Sequence, residues 1–250
     1  MSLRVIEPDW PAPANVRAAS TLRSGGVSEG PFASLNLGDH VGDQPAAVRE
    51  NRARLMSALG LAEEPLWMQQ VHGTSVVHIG ESERSSPRPV ADATVASGPA
   101  RPCVVLTADC LPVLLCDRAG RSVAAAHAGW RGLVRGVLAQ TVAALAVPTT
   151  ELLAWLGPAI GPEAFEVGEE VRQGFLERDA AHAHAFVPNA RGRWQADLYQ
   201  LARNELHALG VTEIHGGGFC THRNSDDFFS YRRDGETGRM ATLIWLSGSG

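Results

Sequence analysis

A chain of 250 residues with 44% apolar and 20% charged residues can bury an ordinary core, in one large domain or two small ones. Its 22 Lys and Arg against 27 Asp and Glu leave a net charge of -5, which argues against a nucleic-acid-binding domain and its basic face. Residues 1–13 hold Glu7, Asp9 and three prolines, and lack the basic start and apolar stretch of a signal peptide. No apolar run approaches the roughly 18 residues of a spanning helix, so no membrane is expected and the expected compartment is the cytoplasm.

In chain order, residues 23–43 are rich in Gly, Ser, Asn and Asp and read as an irregular loop. A helix should follow, capped by Asp43, with Pro45 in its first turn and Val48, Leu55, Met56 and Leu59 on one side, stopping at Gly60. Residues 66–79 partly alternate apolar and polar and predict a strand pair or one long strand, followed by a surface loop at 81–89. Two β-like runs fill 101–116, split at Thr107-Ala108-Asp109, and a short strand over 121–126 leads into His127. Helical spacing over 131–146 predicts one helix entered through Gly129-Trp130-Arg131-Gly132, which places His127 near free backbone N–H groups. A strand at 152–156, helices at 163–177 and 197–209, and strands at 211–220 and 241–246 complete the pattern. Strands and helices intermix without a linker or repeat, so one α/β domain over residues 1–250 is the simplest expectation.

Three segments set a soft ligand or nucleophile beside an apolar strand: Gln70-Val71-His72-Gly73, Thr107-Ala108-Asp109-Cys110 and His127-Ala128-Gly129-Trp130-Arg131-Gly132. Two imidazoles and a thiolate are a set that zinc accepts, with a fourth position open to water or substrate. The separations match no compact zinc motif. Each residue also has a bland alternative: a hydrogen-bonded histidine for His72, a buried thiol for Cys110, a helix-capping partner for His127. The Gly and small residues at each strand end leave space for convergence. Cys103 and Cys116 lie inside apolar runs and read as buried small hydrophobes. His182-Ala183-His184 sits in a polar neighbourhood and reads as a surface segment. Around Phe228-Phe229-Ser230-Tyr231-Arg232-Arg233-Asp234-Gly235, two readings stand level: recognition of a planar or anionic ligand, or a corner salt-bridged by Asp226, Asp227 and Asp234.

The chain resembles the YfiH family, also called the polyphenol oxidase laccase or purine nucleoside phosphorylase family. Six ordered segments carry the resemblance: Leu22-Arg23-Ser24-Gly25-Gly26-Val27-Ser28 with Ser34-Leu35-Asn36-Leu37-Gly38; Gln69-Gln70-Val71-His72-Gly73; Thr107-Ala108-Asp109-Cys110; His127 to Gly132; Leu156-Gly157-Pro158-Ala159-Ile160-Gly161; and Phe228 to Arg239. The resemblance implies a single layered α/β domain with mixed β-sheets flanked by helices, of YfiH-like or cytotoxic necrotizing factor-like type. It implies a zinc ion held by His72, Cys110 and His127. It implies phosphorolysis of adenosine, inosine, guanosine and methylthioadenosine, and deamination of adenosine. A copper-dependent laccase activity is the older label, and some bacterial members are linked to peptidoglycan precursor editing.

The residues weigh these chemistries differently. A multicopper oxidase needs a trinuclear cluster of many histidines, whereas this chain has nine in all. Divalent copper binds His/Cys sites more tightly than zinc, so oxidase activity fits a mis-metallated protein. Zinc acidifies water to a pKa of about 7, as deamination requires, but the H-x-E and P-C-x-x-C deaminase signature is absent. Asp109 is the nearest carboxylate in sequence, although neighbours on a strand point to opposite faces. For phosphate the candidates are Arg23, Arg131, Arg232 and Arg233, with Arg23 and Asn36 as further ligand contacts; no Walker-type loop exists. A metal-free hydrolase with Cys110 as nucleophile and His127 or His72 as base uses the same residues, and a binding module without turnover is a further option. The expectation is a zinc enzyme, with copper possible, acting as a monomer on small molecules: purine nucleosides and phosphate.

Overall fold

The computed structural model describes residues 3–80, 88–99 and 101–248; most of the expected 81–89 loop lies outside these. The first half of the chain forms β1 (Val5–Ile6), β2 (Val16–Thr21), α1 (Pro45–Leu59), β3 (Val76–Ile79), β4 (Ala93–Ser97), β5 (Cys103–Thr107), β6 (Leu111–Asp117) and β7 (Ser122–Ala128). Then come α2 (Trp130–Arg135), α3 (Val137–Leu145), β8 (Leu152–Leu156), β9 (Glu166–Val167) and α4 (Glu169–Leu176). The remainder is β10 (Phe186–Pro188), β11 (Trp194–Ala196), α5 (Leu198–Ala208), β12 (Glu213–Gly216), α6 (Tyr231–Asp234) and β13 (Met240–Leu246).

The strands make three sheets: a six-stranded one in the order β12-β8-β6-β7-β4-β3, a four-stranded one in the order β1-β2-β13-β5, and a small one in the order β10-β11-β9. The six-stranded sheet is mixed, with parallel pairs β12/β8 and β3/β4 and antiparallel pairs between. Alternation along each strand divides the side chains between layers. On β6, Leu111, Val113 and Leu115 face the helices α3, α4 and α5, while Leu114 and Cys116 meet Cys103, Val105 and Ile244 of the four-stranded sheet. The other face of that sheet, with Val104, Leu106 and Leu243, packs on Leu55 of α1 and on Leu35 and Leu37. Each such fully buried leucine is worth about 2 kcal/mol relative to exposure.

Several expectations need correction. The helix expected over 131–146 is two helices, because Gly136 adopts φ 90 and its N–H caps the carbonyls of Gly132 and Leu133. Asp43 does not cap α1; Gln44 holds that place, and the Asp43 carboxylate accepts from Ser28 Oγ and Asn36 Nδ2 instead. The expected strand over 66–79 shrinks to β3 plus an isolated bridge from Gln69 to Val90, since the N–H groups of residues 71–73 turn to a side chain. The strand expected over 211–220 ends at Gly216, where Gly216, Gly217 and Gly218 all have positive φ. The helix expected over 163–177 starts only at Glu169, after β9. His182 is buried, not on the surface: its Nε2 pairs with Glu205 at 3.1 Å, and Glu205 also takes Arg178. His184 is exposed as expected. Among the described residues, no helix is long and apolar enough to cross a membrane.

Candidate metal centre

His72, Cys110 and His127 come from three places that are far apart in sequence and adjacent in the sheets. His127 is the sixth residue of β7, opposite Pro112 of β6. Cys110 sits in the turn from β5 to β6, and His72 in the loop before β3. One nitrogen or sulfur from each lies within 4.8 Å of the others. Cys110 Sγ is 3.6 Å from His72 Nε2, and the two imidazoles stand edge to face with centroids 4.7 Å apart. Tetrahedral zinc with ordinary Zn–S and Zn–N bonds would hold such an S and N about 3.6 Å apart, so the donors fit one ion. Among the described residues, no second group of three such donors converges.

The carboxylate that organises this cluster is Asp92, which the sequence reading passed over. It is fully buried immediately before β4, where its carbonyl accepts from the His127 backbone N–H of β7 at 2.7 Å. Its Oδ1 accepts from His127 Nδ1 at 2.9 Å and from the His72 backbone N–H at 2.8 Å. Its Oδ2 accepts from the N–H groups of Gly73 at 2.7 Å and Val71 at 3.2 Å. With Nδ1 engaged, Nε2 is the free nitrogen of His127. Ligating histidines are oriented in this manner in metal sites generally. A single Asp between Ala91 and Ala93 carries no motif; only the pairing of β4 with β7 reveals it.

Backbone geometry supports the cluster. His72 has φ 57 and Asp109 has φ 94, two of the three non-glycine residues with positive φ among those described. Such conformations persist where the surroundings hold them, as at functional sites. Asp109 is held by Thr221 Oγ1 at 2.6 Å and by the Arg232 backbone N–H at 2.6 Å, so its carboxylate braces the Cys110 turn. Gly129 lies against the donors: a Cβ there would stand 2.7 Å from Cys110 Sγ and 3.1 Å from His72 Cδ2.

Burial opposes charge on the Cys110 thiol, but the His127 imidazole, by charge and hydrogen bond, and then His72 outweigh it and bring Cys110 down to about 6. Burial likewise opposes charge on His127, yet Cys110 and Asp92 hold its proton and raise it to about 9. Cys103 and Cys116, without such neighbours, are pushed up by burial to about 12. Without metal the centre is therefore a thiolate–imidazolium pair at neutral pH.

The arginines singled out from sequence are disposed otherwise. Arg23 donates to the carbonyls of Ala33 and Ser225 and lies over the Phe229 ring. Arg233 donates to the carbonyls of Thr221, His222 and Phe228 and pairs with Asp234, which braces that corner. Arg232 donates to the Glu166 carbonyl and lies over Phe165. Arg131 is exposed and stacked on Trp130. Asn36 is fully buried, its amide spent on Gly38, Asp43 and the backbone of Arg239. An open groove of about 860 Å³ lies between residues 27–32 and the first turn of α1, and none of the three donors lines it.

Known proteins are similar to the chain over nearly its whole length. A family model described as multi-copper polyphenol oxidoreductase laccase matches residues 17–247. A Pseudomonas aeruginosa protein named purine nucleoside phosphorylase is 57% identical, over 96% of this chain and 98% of its own. Escherichia coli YfiH, with the same activity in its name, is 53% identical over 97% and 99%. A crystal structure of a Neisseria meningitidis protein superposes with a TM-score of 0.93 at 53% identity, covering 98% of this chain and 99% of that one. Matches of this extent, on top of the six sequence segments, mean that the chain belongs to the YfiH family, the multi-copper polyphenol oxidoreductase laccase family of the matching model.

Proposed function

We propose that this chain is a cytoplasmic zinc-dependent enzyme, a single catalytic domain over residues 1–250, that phosphorolyses purine nucleosides and deaminates adenosine. The observation that carries the reading is the convergence of His72, Cys110 and His127 within 4.8 Å, braced by one buried carboxylate. The names of the P. aeruginosa and E. coli relatives supply the substrate class. Zinc at these donors would supply Lewis acidity and bring the pKa of water to about 7. The protein's own part is to hold His127 through Asp92, to hold His72 through its backbone N–H, and to keep Cys110 as thiolate. In phosphorolysis a phosphate oxygen bonds to the anomeric carbon as the glycosidic bond breaks; the base leaves with the bonding pair and takes up a proton. In deamination water replaces the amino group and ammonia leaves.

The test is incubation of zinc-loaded protein with adenosine and phosphate, resolved by chromatography. Adenine with ribose 1-phosphate, and inosine with ammonia, are expected; adenosine recovered unchanged overturns the reading. A second reading is favoured by one observation, the Cys110 thiol brought to about 6 beside His127. A thiolate so placed is the nucleophile of a hydrolase, with peptidoglycan precursors as substrate. Chelator-treated protein that stays active would select it. Copper at the same donors would account for polyphenol oxidation, and oxidase activity that appears only on copper loading would identify it.

A further inference from the structure

Two cations outside those considered so far neighbour the donor cluster: Arg135, exposed, donates through Nη1 to the His72 carbonyl at 3.2 Å, and Arg239 is the more enclosed of the two. Arg239 immediately precedes β13, and the register that sets Met240 opposite Thr107 carries it to the Ala108 level of the turn bearing Cys110. Its position is fixed from three sides. The backbone N–H donates to Asn36 Oδ1 at 2.9 Å. Nη1 donates to the carbonyls of Thr237 at 2.9 Å and Gly238 at 3.0 Å. The stem passes over Gly38, where a Cβ would meet Arg239 Cγ at 2.8 Å.

The rest of the guanidinium is open. Nε and Nη2 donate to none of the described residues, and Arg239 forms no ion pair among them. Burial pulls the Arg239 guanidinium below its usual range, and Cys110, then Asp109 and Tyr231, oppose that by favouring its charge. Asp109 is committed to Thr221 and to the Arg232 backbone. The buried Thr237 hydroxyl, two residues away, also lacks a partner among the described residues. By contrast, Arg23 and Arg233 have most of their donors spent on main-chain carbonyls, Arg232 gives only Nη1 to one but is exposed and lies over Phe165, and Arg131 lies out on Trp130.

The geometry points to Arg239 as the phosphate-binding residue of this site, with its Nε–Nη2 edge holding two oxygens of the anion beside Cys110. The inference rests on the phosphorolytic reading above. An arginine edge of this kind suits phosphate because two parallel N–H donors match two oxygens. Asn36 becomes a positioning residue: its side chain holds the Gly38 and Arg239 backbones together, which aims the guanidinium.

The experiment compares zinc-loaded wild type, R239Q and R239K by calorimetric titration with inorganic phosphate, and by separate KM values for phosphate and adenosine. Zinc content and melting temperature report folding. Loss of a charged, bidentate contact should weaken phosphate binding about tenfold to a hundredfold in R239Q. The adenosine KM should move by no more than about twofold, as expected when only the second substrate loses a contact. R239K keeps the charge without the fork and should fall between the two. If R239Q does not fold, R239K decides alone. Phosphate binding in the folded variant equal to wild type overturns the assignment. If wild type binds phosphate through Arg239 but leaves adenosine intact, the nucleoside reading fails while the anion site stands. If phosphorolysis proceeds and R239Q keeps its phosphate KM, the reading stands and Arg239 falls.

Discussion

The Oδ1 atom of Asp92 holds His127 from one side and His72 from the other: the ring nitrogen of the first at 2.9 Å and the backbone N–H of the second at 2.8 Å. One buried oxygen thus couples a strand residue to a loop residue, and the loop cannot shift without disturbing the strand histidine.

Asp92→Asn should therefore act on metal binding more than on the fold. The amide offers one acceptor oxygen in place of two and sets an NH₂ group against N–H donors that now bond to Oδ2. Zinc affinity, measured by competition with a chromogenic chelator, should fall about tenfold to a hundredfold. Unchanged affinity would remove Asp92 from the account.

Gly129→Ala tests the packing of the donors. The backbone at Gly129, φ -62 and ψ 159, suits any residue, so strain is not the issue. The new Cβ would stand 2.7 Å from Cys110 Sγ. Overpacking of this kind costs about 1–3 kcal/mol, and here relief must come from moving a donor. The variant should fold with a lowered melting temperature and purify with less zinc than wild type.

The cysteines should separate by reactivity. In chelator-treated protein Cys110, brought to about 6, is a thiolate at neutral pH, while Cys103 and Cys116, at about 12, are buried thiols. Brief iodoacetamide treatment followed by peptide mapping should label Cys110 ahead of Cys103 and Cys116, and zinc should protect it. Equal labelling of Cys103 and Cys110 would contradict the electrostatics described.

The pH dependence of the metal-free pair has a definite sign. His127, raised above 6.5 to about 9, lends stability that is complete below 6.5 and lost as pH rises through about 9. Cys110, lowered from 9.0 to about 6, lends stability that is complete above 9.0 and lost as pH falls through about 6. The folded pair therefore releases protons near the same two pH values as the unfolded groups, and the slopes nearly cancel. The melting temperature of chelator-treated wild type should therefore change little on account of this pair between these limits. Thiolate ultraviolet absorbance in the wild type should instead rise with a midpoint near 6, and a midpoint near 9 would contradict the pairing.

Much of this was legible in the sequence, for identifiable reasons. Apolar runs gave β5, β6 and β8, and the turn residues between them set Cys110 at a strand end. Leucine spacing gave α5, although Asp197, expected within the helix, is its cap. The sheet that joins β2, β13 and β5 was not legible, because its register pairs residues such as Ser20 and Thr242 from opposite ends of the chain. Asp92 and Arg239 were missed for the same reason: their roles come from strand partners, not from neighbours in sequence. Gly136 was read as part of a helix because the apolar spacing continues across it, while its left-handed backbone divides the segment. Arg233 and Asn36 attract notice as polar groups in dense motifs, and their bonds turn inward to main chain.

The central claim is that His72, Cys110 and His127 share one metal ion. Elemental analysis of protein purified without added metal, run beside His72→Ala, Cys110→Ala and His127→Ala, tests it most directly. The account predicts stoichiometric zinc in the wild type and its loss in each folded variant. Wild type without metal, or variants that retain it in full, would contradict the account.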